Sequence, residues 1–439
     1  MKIQKLTYIG LMSLVLMACS PRVDDVFDDT SVNRLDKRRT EVMNLLINQP
    51  NGWVMEYFAQ SDATSSAVDK HKGYTFLMEF RTDGTVTVGA PVDSVFKTET
   101  SLWDVINDNS TVLTFNTFNS IFHYYSNPDP ALGLWGADGE GIGGDYEFLV
   151  LQYNETENYQ LLKGKKRSCY IRMYPLAANQ EWEGYFTILD SMRTYLFEEA
   201  LPLELYTPSK HISLYNGPTG EFRAFTFGAD TLGGGEYHGF IVTNKGIRIQ
   251  DQEIVETAIG SDPFHLNSTK DRLVSTANQS IYIEMNGGTA FVSSIAHGTR
   301  WQADTLNLSG AILAGIETLN GYLHSGVGSA KGNKNAHITG LGFNADNDSL
   351  VYLNVQYTTT GNNTLTDVYH FGKQYVDGNY VLTYRNAYGQ HNLVNYNGED
   401  FVKLFNGSYS FLILEPFHPS KGLQMTQLDK EDFSITLKQ

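Results

Sequence analysis

Histidine, cysteine and carboxylate side chains could carry a reaction or a metal, and their spacing here builds neither. None of the 11 histidines falls in H-E-x-x-H, and Cys19 and Cys169 are too far apart in the chain to form a paired-Cys ligand motif, which excludes a zinc peptidase of the usual kind. "NADNDSLVYLNV" (344–355) opens like an EF-hand loop with Asn344, Asp346 and Asp348. It then fails, with Ser349 where glycine must turn and Val355 where a bidentate Glu belongs. "GEGIGG" (139–144) matches G-x-G-x-x-G, but a strand pattern follows it rather than the helix whose N-terminus would hold a pyrophosphate. "GVGSAKG" (326–332) lacks the Gly-Lys-Ser/Thr ending, and G-x-S-x-G does not occur. Cys169 follows a basic turn inside a strand pattern, a structural setting rather than a nucleophile's. Neither metal nor cofactor is expected.

One span keeps residue types suited to binding. "NTFNSIFHYYSNPDPALGLWGADGEGIGGDYE" (116–147) joins two strand patterns, and connections of that length are commonly functional. It holds six glycines, about twice the chain's average density, while its five acids barely exceed the average. A glycosidase carboxylate pair is therefore not indicated by composition. His123, Tyr124, Tyr125 and Trp135 could stack on sugar rings or clasp a peptide. The competing reading is that Phe118, Phe122, His123 and Tyr124 close the end of a barrel as core.

The other chemistry is covalent. Lys2 and Lys5 precede an apolar run, Leu6 to Met17, with the proportions of a secretory signal and too short to span a bilayer. It ends Leu16-Met17-Ala18-Cys19, the order of a bacterial lipobox, in which the cysteine sulfur takes a diacylglycerol and the freed amine a further acyl chain. Several chains together make such an anchor durable. Asp24, Asp25, Asp28 and Asp29 follow, either as a surface-export signal or as a merely solvated linker.

These residues must be positioned by a body that is mainly β. Tyr (26) and Phe (24) are abundant, as residues of half-buried pleats are. Asp83-Gly84, Asn216-Gly217, Asn286-Gly287, Asp377-Gly378, Asn397-Gly398 and Asn406-Gly407 read as hairpin turns. Consecutive antiparallel meanders or small barrel-like sheets are expected, each preceded by a short helix. The segments are a signal peptide (1–18), an acidic tether (19–30), a helix plus meander (31–177), a second such module (178–288) and a C-terminal β domain (289–439). In the first, a helix over 31–49 feeds seven strand patterns. Helices are also expected over 179–200 and 309–323, and "AFVSS" (290–294) reads as a strand. No residue-level repeat marks a duplication. Formal charge is −17, and the leader carries two lysines and no acid, so its removal takes the charge to −19. Such a polyanion repels nucleic acid and anionic lipid heads.

The ordered motifs "VDDVFDDTSVNRLDKRRTEVMNLLINQPNGWVMEYF", "GYTFLMEFRTDGTVTV", "VLTFNTFNSIFHYYSNPD", "GGDYEFLVL", "LLKGKKR" and "MYPL" resemble the family called domain of unknown function 4302, found in Bacteroidetes-type lipoproteins. The resemblance runs from about Val23 to Leu176 and more weakly through "GFIVTNKGIRIQ". It implies an outer-membrane setting, facing outward, similar to uptake systems of the starch-utilisation type, which pair a TonB-dependent channel with surface-binding lipoproteins. It implies no reaction. The expected function is a lipid-anchored accessory binding protein for glycan or peptide. The alternatives are a hydrolase acting on the same polymers and a structural subunit that binds only protein partners.

Overall fold

The computed structural model describes residues 29–59, 73–92, 94–127, 144–216, 221–226, 236–251, 253–257, 263–328, 330–345, 350–358, 363–376, 379–388 and 392–439. They form three closed antiparallel barrels of eight strands each, in chain order. The expected mainly β architecture of successive meanders is the one the chain adopts.

The first barrel follows helix α1 (Ser31–Ile47). Its strands are β1 (Trp53–Phe58), β2 (Gly73–Phe80), β3 (Thr85–Val92) and β4 (Val95–Asn107). They continue with β5 (Thr111–Phe115), β6 (Glu147–Asn154), β7 (Tyr159–Gly164) and β8 (Tyr170–Pro175), and β8 closes on β1. Strand β4 is absent from the seven strand patterns expected. Its first half, "VFKTETS", turns mostly outward and shows no apolar alternation, which begins only at Ser101.

The second barrel follows α2 (Trp182–Phe197) and begins with β9 (Leu203–Tyr206), β10 (His211–Asn216), β11 (Glu221–Thr226) and β12 (Glu236–Thr243). It ends with β13 (Gly246–Ile249), β14 (Phe264–Leu266), β15 (Arg272–Ser275) and β16 (Tyr282–Glu284), which pairs with β9. The third follows α3 (Gly287–Ala296). Its first strand β17 (Trp301–Leu308) leads into α4 (Gly310–Ser325) and a two-residue hairpin, β18 (Gly326–Val327) with β19 (Ala330–Lys331). The wall continues through β20 (Ile338–Asn344), β21 (Leu350–Thr358), β22 (Thr364–Val376) and β23 (Asn379–Tyr388). Helix α5 (Gly398–Val402) intervenes before β24 (Gly407–Ile413), β25 (Leu423–Gln427) and β26 (Ser434–Lys438), and β26 returns to β17.

"AFVSS" is helical, not a strand: it lies inside α3. Asn286 caps that helix, its Oδ1 accepting from Gly288 and Thr289 N–H at 2.9 and 3.1 Å. Asn286-Gly287 and Asn397-Gly398 thus start helices, whereas Asp83-Gly84 makes the β2–β3 turn, with Gly84 at φ +80. A five-residue segment with three apolar residues in a row is too short to show a period, and the cap decides it.

Each barrel is filled by apolar side chains and carries ion pairs such as Arg81–Glu79 and Arg272–Glu284 on its outside. That polarity is the inverse of a barrel whose wall faces lipid. One device recurs in all three. The last turns of the preceding helix and the first strand residue are buried together at a spacing of seven: Leu46 with Trp53, Leu196 with Leu203, Ser294 with Trp301. In the outer two, the tryptophan Nε1 donates to the helix residue, to the Leu46 carbonyl at 2.9 Å and to Ser294 Oγ at 2.8 Å. The strand start is thereby fixed to the helix that precedes it.

Strand β1 is buried along its whole length because both faces are covered. Trp53, Met55 and Tyr57 enter the first barrel, and Val54, Glu56 and Phe58 face its surroundings. Glu56 meets Arg248 of β13 at 2.5 Å, with both side chains buried, and Phe58 packs with Cys169 and Ile241. The first two barrels thus join through one desolvated ion pair and a small apolar patch. The second and third join where Ser420 N–H reaches the Glu199 carboxylate at 3.1 Å and Phe417 packs against Tyr195.

Candidate functional site

The segment after β5 folds over the end of the first barrel opposite α1. Asn119, fully buried, organises it. Its Oδ1 accepts from Ile121 and Phe122 N–H at 3.1 and 3.0 Å, and its Nδ2 reaches the Glu99 carbonyl at 3.2 Å and Ser101 Oγ at 3.3 Å. His123 Nδ1 lies 3.0 Å from Asn119 N–H and 3.2 Å from the Asn119 carbonyl, so its tautomer sets which of the two it bonds. Burial holds the His123 pKa below the ordinary histidine range. The resulting turn, His123–Tyr125, puts successive rings to different uses.

Phe122 goes inward, among Phe115 (4.3 Å between centroids), Phe76 (5.3 Å) and Tyr57 (5.7 Å). Tyr125 is half-buried against Tyr74 at 3.9 Å, and Tyr124 meets Tyr125 edge-on at 5.5 Å. His123 turns outward and lies between Phe118, stacked at 5.4 Å and 29°, and Tyr146 at 5.8 Å and 36°. Those flanking rings are 58 % and 50 % exposed. Beside this file, Glu99 accepts from Ser120 N–H at 2.9 Å and from the Ser120 hydroxyl.

The structure therefore divides the residues that the core reading grouped. Phe122 is core, Phe118 is exposed, and His123 and Tyr124 lie between. Tyr146 was missed by the sequence reading, although an aromatic residue just after a glycine-rich run was its visible signal. Trp135 lies outside the described residues, as do Cys19, Asp24, Asp25 and Asp28. The two feet of the span that carries Trp135 are held together: Gly144 N–H donates to the Tyr125 carbonyl at 3.1 Å. A Cβ on Gly144 would come within 2.5 Å of the Tyr57 hydroxyl, so only glycine fits there. That hydroxyl accepts from Asp145 N–H at 2.8 Å and donates to the Asp145 carbonyl at 3.2 Å. Burial and the nearby Asp145 charge push the Tyr57 pKa far up, so it remains a neutral bridge. Asp145 caps the β7–β8 turn, accepting from Lys166 and Arg167 N–H, and burial raises its pKa as well. Asp29 binds Thr30 N–H at 2.8 Å and Asn33 Nδ2 at 2.7 Å at the start of α1.

The sequence profile described as "Domain of unknown function (DUF4302)" matches residues 23–254, which contain this whole site. The chain belongs to the DUF4302 family. Its matched region takes in the first barrel, α2 and the second barrel through β13. No curated protein matches the chain. Among solved structures, the β subunit of DNA polymerase from Streptococcus pyogenes aligns over 92 % of this chain and 97 % of its own, at 9 % identity and a TM-score of 0.12. DNA polymerase III subunit β from Borrelia burgdorferi, in complex with a natural product, aligns over 92 % and 96 %, at 8 % identity and 0.10. At such scores neither alignment carries an argument about fold or function.

Among the described residues no group of three His, Cys, Asp or Glu side chains is placed to hold a metal ion. What the barrel mouth offers is ring faces, an imidazole nitrogen, a carboxylate and a hydroxyl. Those groups can hold a ligand by stacking and hydrogen bonds.

Proposed function

We propose that this DUF4302 protein is a lipid-anchored accessory binding protein of an outer-membrane nutrient-uptake system of the starch-utilisation type. In this reading Cys19 carries the anchor, the aspartates direct the protein to the cell exterior, and a TonB-dependent channel and a surface-binding lipoprotein are its partners. The mouth of the first barrel takes glycan or peptide. The supporting observation is the file Phe118–His123–Tyr146, whose outer rings stay exposed although Phe122, one residue from His123, is wholly inside. Two rings kept in water at the foot of a glycine-rich span suit a surface that stacks on a ligand.

The test pairs binding with stability. Phe118→Ala and Tyr146→Ala should each weaken retention on glycan or peptide arrays by about tenfold, on the order of 1 kcal/mol per stacked ring, with the melting temperature almost unchanged. Retention unaffected by both changes would remove the mouth as the site. For the anchor, Cys19→Ala should abolish labelling by an alkyne fatty acid and release the protein from the membrane fraction.

A further inference from the structure

The third barrel carries a second ring file, buried at Tyr352 and open to solvent at Tyr388. Tyr352 and His370 are direct cross-strand partners on β21 and β22, stacked at 4.3 Å and 21°. Tyr388 on β23 continues the file at 5.0 Å and 24° from His370, and it is 65 % exposed. Strand β24 pairs with β23 only through Tyr380–Leu382, so among the described residues no strand flanks Tyr388 on its far side.

Arg385 lies beside this file for a structural reason. His370 pairs with Asn386 and Phe371 with Tyr384, which leaves Arg385 as the extra residue of a bulge, and bulges re-aim side chains. Its guanidinium lies over Gly372, where a Cβ would approach Arg385 Nε to 2.7 Å. Arg385 makes neither a hydrogen bond nor an ion pair with any described residue, although the chain holds 49 acids against 32 bases. Arg39, Arg81 and Arg272, by contrast, each hold a carboxylate at 3.0 Å or less.

We infer that this wall is a second ligand site, for a largely neutral glycan that carries one carboxylated sugar. The open face of Tyr388 stacks on a sugar ring, and the Arg385 fork takes the carboxylate with two parallel hydrogen bonds. His370 and Gly372 are two residues apart on β22, so ring file and guanidinium lie about 7 Å from one another, a span for adjoining sugars. One unpaired cation matches one carboxylate, and a net charge of −17 disfavours a polyanion. The site uses none of the residues at the first barrel's mouth and stands without them.

Calorimetry on the full chain decides it, with sialyllactose set against lactose and glucuronosyl-xylotriose against xylotriose. At least one acidic sugar should bind about tenfold more tightly than its neutral parent, the scale of one charge-assisted hydrogen-bond pair. Arg385→Gln should remove that preference and leave the parent's affinity unchanged. Tyr388→Ala should likewise remove the preference, because it takes away the stacking surface that seats the sugar beside Arg385. Equal affinity for acid and parent in both pairs, or a preference that survives Arg385→Gln, would overturn the inference. So would tighter binding of an acidic peptide than of either sugar. Both side chains are exposed, and Arg385→Lys, which keeps charge but loses the fork, should give an intermediate preference.

Discussion

The second and third barrels carry the same ring file on their outer walls and finish it differently. On the second, His211 of β10, Tyr206 of β9 and Tyr282 of β16 are direct cross-strand neighbours, stacked at 4.2 and 4.8 Å. The Arg272 guanidinium caps the file at 4.6 Å from the Tyr282 ring and is itself held by Glu284 at 2.6 Å. Beneath lies Glu204, fully buried, with Ser213 Oγ at 3.0 Å and His211 Nε2 at 3.2 Å from its carboxylate. The side chain of Asn286, the cap of α3, lies close to the Tyr206 hydroxyl. On the third barrel the file ends on an open ring and an unpaired guanidinium. Stacked rings across a sheet stabilise either wall, but only the closed file lies at a joint between modules. An unfinished end is what separates a surface available to a ligand from one used in assembly.

The largest effect expected from this contrast is on folding stability. Tyr206→Ala removes the central ring of the closed file, and should cost about 2–3 kcal/mol, toward the lower end of large-to-small losses because the ring is only half-buried. Tyr388→Ala removes a ring that is mostly in water and should stay within about 0.5 kcal/mol. Denaturant melts of the two variants check this. Equal losses would mean that the open file is as structural as the closed one.

A smaller effect depends on pH. Burial, the dominant cause, raises the Glu204 pKa above the ordinary Glu range, against the opposing pull of His211 and Ser213. The folded state therefore holds that proton more tightly than the unfolded chain does. The associated stability is fully present below the ordinary Glu pKa of 4.5 and is lost as pH rises through the elevated value. Glu204→Gln can still accept from Ser213 and does not ionise, so its melting temperature should gain on the wild type steadily as pH rises above 4.5. His211, Tyr206, Tyr375 and Tyr380 also face this carboxylate or feel its charge, and Glu284 is its cross-strand partner. The same melts on His211→Asn separate the histidine's contribution. Parallel pH curves for wild type and Glu204→Gln would show that the carboxylate is not the sensitive group.

The sequence exposes the barrels far better than the files. The short apolar runs of β1 and β2, the alternation along β21, and Asp83-Gly84 between β2 and β3 follow rules of local chain geometry. Strand β4 escapes because its outer half is polar on both sides of the pleat, and α3 escapes because a cap, not a period, sets it. The seven-residue latch was legible only after the fold: Leu46–Trp53, Leu196–Leu203 and Ser294–Trp301 share spacing but no common residue pair. Stacked files are less visible still. Tyr206 and Tyr282 are separated by 75 residues, and nothing local marks two tyrosines as neighbours until the barrel closes. The first barrel's mouth was partly legible because its rings come from one span, and what the sequence could not decide was which ring of Phe118, Phe122 and His123 turns inward. Asn119 decides that through two backbone N–H groups.

The smallest expected effect compares the two guanidinium groups. Arg272 is about half exposed, and its partner Glu284 is mostly covered, so solvent screens much of their attraction. An exposed pair of this kind contributes roughly 0–1 kcal/mol, and Arg272 adds its contact with the Tyr282 ring, itself worth about 0.5–1 kcal/mol. Arg272→Gln should therefore lower stability by about 1 kcal/mol, and the loss should shrink in high salt as the ion pair is screened. Arg385→Gln breaks neither an ion pair nor a hydrogen bond to any described residue, so its melting curve should overlay the wild type at every salt concentration. If Arg385→Gln instead destabilises the chain with the same salt dependence, its guanidinium has a carboxylate partner of its own. The third barrel's file would then be closed like the second, and the distinction between an assembly surface and an open one would fail at the residue on which it most depends.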